Sequence, residues 1–208
     1  MADEKRLADR IGEQTITNDS HHAHQKTPDR RRWLDLPKHR WPTALGIAVA
    51  ALAAFDLDNG TEFAALTVLM ALVYLGAAAL DRRWSAWVVL LAGLPIAIFI
   101  PATSEVVPSV VLLVAALVFL ALGVARGLLR KPGGLPLQTA GLLAFGSTAL
   151  VALYVDMGLG GKLVAIAILG HAAWDAYHYL RNRVVSRSYA EFCAVVDFLL
   201  GATILFLT

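Results

Sequence analysis

The chain has 208 residues, 58% of them hydrophobic and only 16% charged, with a mean hydropathy of +0.62 and a formal net charge of +2. A soluble domain averages about 45–50% apolar and 25% charged residues, so this composition excludes an ordinary water-soluble globule. The single cysteine, Cys193, excludes an intrachain disulfide framework. The apolar residues fall in continuous runs close to the ~20 residues that carry a helix across a bilayer. They do not alternate as the strands of a transmembrane β-barrel do.

Residues 1–40 hold nine Lys/Arg and seven Asp/Glu, with few large apolar residues before Trp33. Such a segment cannot bury a core and is expected to be a disordered, cytoplasmic, basic tail. It lacks the layout of a cleavable signal, because the first apolar run begins only near Trp41. His21, His22 and His24 are a weak metal-binding pattern, and a solvated tail explains them better. Arg30, Arg31, Arg32, Lys38 and Arg40, interleaved with Trp33 and Trp41, fit the headgroups of an anionic inner leaflet. Membrane anchoring accounts for that run, so no nucleic-acid partner is expected. The sequence does not specify an oligomer.

Seven spans follow in the remaining domain, residues 41–208. The first runs from Trp41 to Leu57, led by Pro42, which suits a first helical turn. The second runs from Phe63 to Leu80, and the third from Trp84 to Ile100 with Pro95 inside it. The others are Val106 to Val124, Leu135 to Val155, Lys162 to Leu180, and Tyr189 to Thr208. The expected fold is an all-α integral membrane protein, a seven-transmembrane helix bundle.

Charge sets its orientation. Arg82 and Arg83, then Arg126, Arg130 and Lys131, then Arg181, Arg183 and Arg187 occupy alternate connections. With the tail, 17 of 18 Lys/Arg fall on one side, and the other keeps Lys162 beside Asp56, Asp58, Glu62, Glu105 and Asp156. Basic residues concentrate in cytoplasmic loops, so the N-terminus is expected inside and the C-terminus outside. Arginine exceeds lysine 13 to 5, and alanine, leucine and valine dominate. This bias suggests a GC-rich bacterial genome and hence a multi-pass protein of the bacterial cytoplasmic membrane. Asp56-Leu57-Asp58-Asn59-Gly60 and Val155-Asp156-Met157-Gly158 each precede a span, roughly one hundred residues apart. They allow a 3+1+3 plan with repeats over 41–100 and 135–208, parallel repeats being a known transporter architecture. In layout, though not in orientation, that plan resembles the sugar-transporting SWEET proteins.

The chemistry concentrates in the last two spans. Residues advance about 100° each around a helix, so His171, Asp175 and His178 share one face of the sixth span. Cys193 and Asp197, four apart, share one face of the seventh, and Glu191 lies off it. Counted from Arg181 and Ser188, His171 lies ten residues in and Asp197 nine. Both are therefore about 14 Å deep, near the bilayer middle. Level by level, His171 meets Asp197, Asp175 meets Cys193, and His178 meets the inner interface. An aspartate at a span centre costs about 2.5–3.5 kcal/mol on insertion scales, which demands a partner or a function.

Three readings of this set remain open. Imidazole, carboxylate and thiolate are all zinc ligands, so His171, Asp175, His178, Cys193 and Asp197 are candidate metal ligands, and such a metal could activate water. The same groups could relay protons or coordinate a small transported solute. They could instead be buried hydrogen bonds pinning the hairpin, each worth about 1 kcal/mol or less in a membrane. Whether the protein is an enzyme is left open by these readings. Ser147 and Thr148 could add hydroxyls to a pocket, although bonding to their own helix carbonyls is the simpler expectation.

His171-x3-Asp175-x2-His178 followed by Cys193-x3-Asp197 resembles the C-terminal signature of uncharacterised bacterial polytopic membrane proteins, which pair a Trp-Asp-x2-His helix with a later Cys/Asp helix. The likeness covers about forty residues and implies no activity. A more distant resemblance is to the CREST group of seven-span hydrolases, including alkaline ceramidases and adiponectin receptors. Those proteins hold zinc with several buried histidines, aspartate and serine, which would imply zinc and hydrolysis here. This chain departs from them at Asp175, where the family pattern HxxxH has histidine. It also has no histidine between His39 and His171.

Overall fold

The computed structural model describes residues 40–55, 57–100 and 106–208. The tail with its histidines, the basic run Arg30 to Lys38, and the acidic residues Asp56 and Glu105 lie outside the described residues. Among the described residues there are seven α-helices, two single 3-10 turns and no strand.

The helices are α1 (Trp41–Ala54), α2 (Ala64–Leu80, extended at its start by the 3-10 turn Thr61–Phe63), α3 (Ser85–Phe99), α4 (Val106–Ala125), α5 (Leu135–Ala152), α6 (Met157–Arg181) and α7 (Arg187–Leu207). They coincide with the seven expected spans to within a few residues at most ends. Five are long and apolar enough to cross a membrane: the α2 unit, α4, α5, α6 and α7. α1 and α3, at 14 and 15 residues, extend only about 21–23 Å, less than the ~30 Å hydrocarbon core.

The boundaries have local causes. α1 carries Pro42 in its first turn, where a missing N–H costs nothing. α6 is capped by Asp156, whose Oδ1 accepts from the Leu159 N–H at 3.0 Å. The Ser186 hydroxyl does the same for α7, accepting from Tyr189 N–H. α2 and α6 both end on a non-glycine residue in the left-handed conformation, Asp81 (φ 54°) and Asn182 (φ 48°), residue types that tolerate that region.

α2 is the axis of the bundle. Fourteen of its 17 residues are buried, as expected of a helix that is apolar all round. α3, α4, α5 and α6 pack against it. α6 and α7 form the most extensive helix pair, and α1 covers the other side of α7. Small residues permit the closest approaches: a Cβ on Gly161 would lie 2.1 Å from the Asn59 carbonyl oxygen. The outward face of α4, including Val110, Val114, Leu117 and Val118, is exposed and apolar, a surface suited to lipid rather than water.

The three basic connections meet at one end of this bundle. Arg83 donates to the Arg183 carbonyl at 3.2 Å and to Asn182 Oδ1 at 3.3 Å. Lys131 pairs with Asp81 at 2.6 Å, and Arg126 donates to the Ala79 carbonyl at 3.0 Å.

Candidate functional site

The helical phases expected from the sequence are realised. His171, Asp175 and His178 on α6, with Cys193 and Asp197 on α7, all face the interior, each at most 4% exposed. Antiparallel packing of the α6–α7 hairpin brings His171 to Asp197, as the depth count requires. His171 Nδ1 lies 2.9 Å from Asp197 Oδ2 and 3.4 Å from Asp175 Oδ2. One imidazole nitrogen therefore faces two carboxylates.

The second partner of Asp175 comes from another helix. Tyr74, in the middle of α2, donates its hydroxyl to Asp175 Oδ1 at 2.5 Å. Cys193, one turn from Tyr189 on the same face of α7, is a buried free thiol outside the group formed by His171, Asp175 and Asp197. Tyr74 also packs edge-on to His171 and lies 4.7 Å, centroid to centroid, from His178. Sequence phase within the hairpin missed Tyr74. The available signal was a lone tyrosine inside the apolar run 63–80, seven residues from Asp81, the same level as Asp175 before Asn182.

His178 is committed elsewhere. Its Nδ1 lies 2.9 Å from the Trp174 carbonyl oxygen, which requires Nδ1 to carry the proton. Its Nε2 then accepts from Gln138 Nε2 at 3.0 Å. Gln138, buried on α5, also donates to the Gly133 carbonyl and accepts from the Trp174 indole N–H. This arrangement satisfies the histidine without a metal and leaves it no free lone pair. Gln138 was the other residue that sequence reasoning missed, a lone amide three residues inside an apolar helix.

The remaining candidates resolve locally. Glu191 accepts from the Thr43 hydroxyl at 2.5 Å and pairs with Arg40 at 3.5 Å, tying α7 to α1. Ser147 and Thr148 bond to the Ala144 carbonyl. On the opposite end, Glu62 accepts from the Asp58 N–H, and Asp156 serves as the α6 cap.

What converges is a set of three: His171, Asp175 and Asp197, with one ligand atom from each lying within 4.8 Å of the others. Three of their polar atoms, His171 Nε2, Asp175 Oδ2 and Asp197 Oδ1, are buried without a hydrogen-bond partner among the described residues. Unpaired buried polar atoms cost about 1–3 kcal/mol each. Charge adds to that cost. Two ionised carboxylates beside one imidazole leave the cluster negative even when the imidazole is protonated, and an uncompensated buried charge is strongly unfavourable. Neutrality needs either a further proton, or a divalent cation with the imidazole neutral as a metal ligand. Zinc binds such nitrogen and oxygen donors at about 2.0–2.2 Å, which puts two donors on one ion about 3.3 Å apart at a tetrahedral angle. The 2.9 and 3.4 Å spacings of His171 Nδ1 from the two carboxylates lie near that value for two of the three ligand pairs, and the whole set lies within 4.8 Å.

Among its described residues the chain is thus all-helical, with five helices long and apolar enough to cross a membrane. It encloses a buried histidine–aspartate–aspartate group that could hold a metal ion. No family model, curated protein or solved structure matches it.

Proposed function

We propose that this is a seven-span protein of the bacterial cytoplasmic membrane that holds a divalent cation, zinc by its donor set, on His171, Asp175 and Asp197. The carrying observation is the convergence of those three ligands at 1% exposure or less, within 4.8 Å, with unpartnered atoms on each. A cation held on His171 Nδ1 neutralises the carboxylates and supplies a partner to the carboxylate oxygens that lack one. Three protein ligands also leave a coordination position open, and the surrounding helices enclose it. A water bound there would be activated by the metal. His178 and Cys193 support the site's walls instead of coordinating.

The meeting of the three basic loops at one end supports the alternation behind the seven-span, N-inside topology. The short helices α1 and α3 then cross with their flanking residues and local bilayer thinning. Arg40 and the preceding basic run would rest on anionic inner-leaflet lipids. The repeat has support in register. Asp81 and Asn182 end α2 and α6 on the same left-handed cap, 101 positions apart, and Tyr74 and Asp175, also 101 apart, meet across the bundle.

Proton-coupled transport is the less supported alternative. Polar groups run from Gln138 and His178 through Tyr74 to Asp197, but Thr67 and Thr203 further along α2 and α7 bond to their own helix carbonyls. A purely structural role is favoured by one observation: His171–Asp197 and Tyr74–Asp175 tie α2, α6 and α7 together. Thermal unfolding of the purified chain after chelation, with and without added zinc, separates the readings. Binding to the folded state stabilises it by about 2.7 kcal/mol at one hundred times Kd, so zinc should raise Tm in the unmodified chain and not in His171→Ala. A Tm indifferent to zinc would leave the structural role.

A further inference from the structure

The loops after α2, α4 and α6 border an open cavity of about 270 Å³ at the basic end of the bundle. Arg82, Arg83, Lys131 and Arg183 line it, with Asp81 as its one acidic residue. Asp81 is taken up by Lys131 at 2.6 Å. The three arginines have no acidic partner among the described residues. Arg83 is moreover fixed by neutral acceptors, Asn182 Oδ1 and the Arg183 carbonyl. Its exposed guanidinium is held by two neutral acceptors, and its charge has no acidic partner among the described residues.

The topological preference for basic cytoplasmic loops explains which end carries these residues. It does not require three separate loops to bring them around one cavity, nor a guanidinium to be held in place by neutral groups. Both features suit an anion. The volume falls just below the ~300–1,000 Å³ of pockets for drug-sized ligands, which suits a headgroup-sized species. Arginine's planar fork matches phosphate oxygens in particular.

We propose that this cavity binds a phosphate group, carried by a lipid headgroup of the adjoining leaflet or by a free phosphate-bearing solute. The proposal is independent of the metal reading, since none of these residues belongs to the histidine–aspartate group. Two arms distinguish the sources, both on the full chain. The first is calorimetric titration of inorganic phosphate into protein held in a neutral detergent. The second is thermal unfolding in phosphatidylcholine nanodiscs with increasing phosphatidylglycerol. Saturable binding of phosphate identifies a soluble ligand, and saturable stabilisation by phosphatidylglycerol alone identifies a headgroup. In either case Arg82→Gln/Arg183→Gln should weaken the response roughly tenfold or more. Asp81→Asn frees Lys131 while keeping a residue suited to the left-handed cap, and it should tighten binding. Should the arginine variant not fold, Asp81→Asn decides alone. No saturable response to either probe, or responses unchanged in the variants that fold, would overturn the proposal.

Discussion

Tyr74→Phe is the cleanest perturbation of the buried cluster. The ring stays, so its packing against His171 and His178, at 5.5 and 4.7 Å between centroids, is preserved and no cavity opens. Only the hydroxyl that donates to Asp175 Oδ1 is lost. Asp175 Oδ2 already lacks a hydrogen-bond partner, so the variant leaves that carboxylate with only its 3.4 Å ion-pair contact to His171 Nδ1. A buried acceptor left unsatisfied costs about 1–3 kcal/mol in proteins generally. Side-chain hydrogen bonds in membrane bundles average nearer ~0.6 and reach ~1.7 kcal/mol. Because the acceptor is a carboxylate at 0% exposure, the upper part of the membrane range should apply, about 1–2 kcal/mol. Equilibrium unfolding in mixed micelles measures it, and a double-mutant cycle with Asp175→Leu isolates it. In the Asp175→Leu background the same change should cost close to nothing, because no acceptor remains. An equal cost in both backgrounds would refute the reasoning, as would a Tyr74→Phe cost below about 0.3 kcal/mol in the native background.

Other consequences are as direct. Gly161→Ala places a methyl 2.1 Å from the Asn59 carbonyl oxygen and should destabilise the fold by several kcal/mol, of order ~3. Gly146→Ala meets Leu113 Cδ2 at 3.5 Å and Leu142 Cδ1 at 4.0 Å, both ordinary contacts, and should be neutral or gain up to about 1 kcal/mol from helix propensity; the same unfolding assay ranks the two. In a Cys193→Ala background, Asp156→Cys should react with an impermeant maleimide added outside intact cells, and Arg183→Cys only after permeabilisation. The reverse pattern would invert the topology. His178→Gln and Cys193→Ser should keep the metal affinity of the unmodified chain within a few-fold, whereas His171→Gln should lose at least a hundredfold, roughly 2.7 kcal/mol. Zinc titration of each chelated protein measures this, and a comparable loss in His178→Gln would restore the wider five-ligand set.

Much of the fold was legible because a membrane span must be continuously apolar, so each helix announces itself by its own composition. The inward faces of α6 and α7 were legible for a similar reason: a charge is tolerated at that depth only when turned from lipid. Counting depth along an antiparallel hairpin then sufficed to match His171 with Asp197. The same counting paired Asp175 with Cys193, and the hydrogen bond goes instead to Tyr74. Phase within one hairpin carries no information about a third helix, and α2 shows none of its own, being apolar on every side. Gln138 escaped notice for the same reason, since its partner His178 already had an assigned role at the interface. The shortness of α1 and α3 was hidden because their apolar runs continue past the last hydrogen-bonded turn: α1 stops at Ala54 although Leu57 follows.

The proposed metal site requires His171, Asp175 and Asp197 to bind one divalent cation together. Its most direct test is the metal content of the purified full chain, reloaded with zinc after chelation and counted by mass spectrometry beside Asp175→Asn/Asp197→Asn. One tightly held ion per chain is expected in the unmodified protein and none in the double variant, with both proteins folded by circular dichroism. An unmodified chain that retains no ion, or a double variant that retains as much, would contradict it.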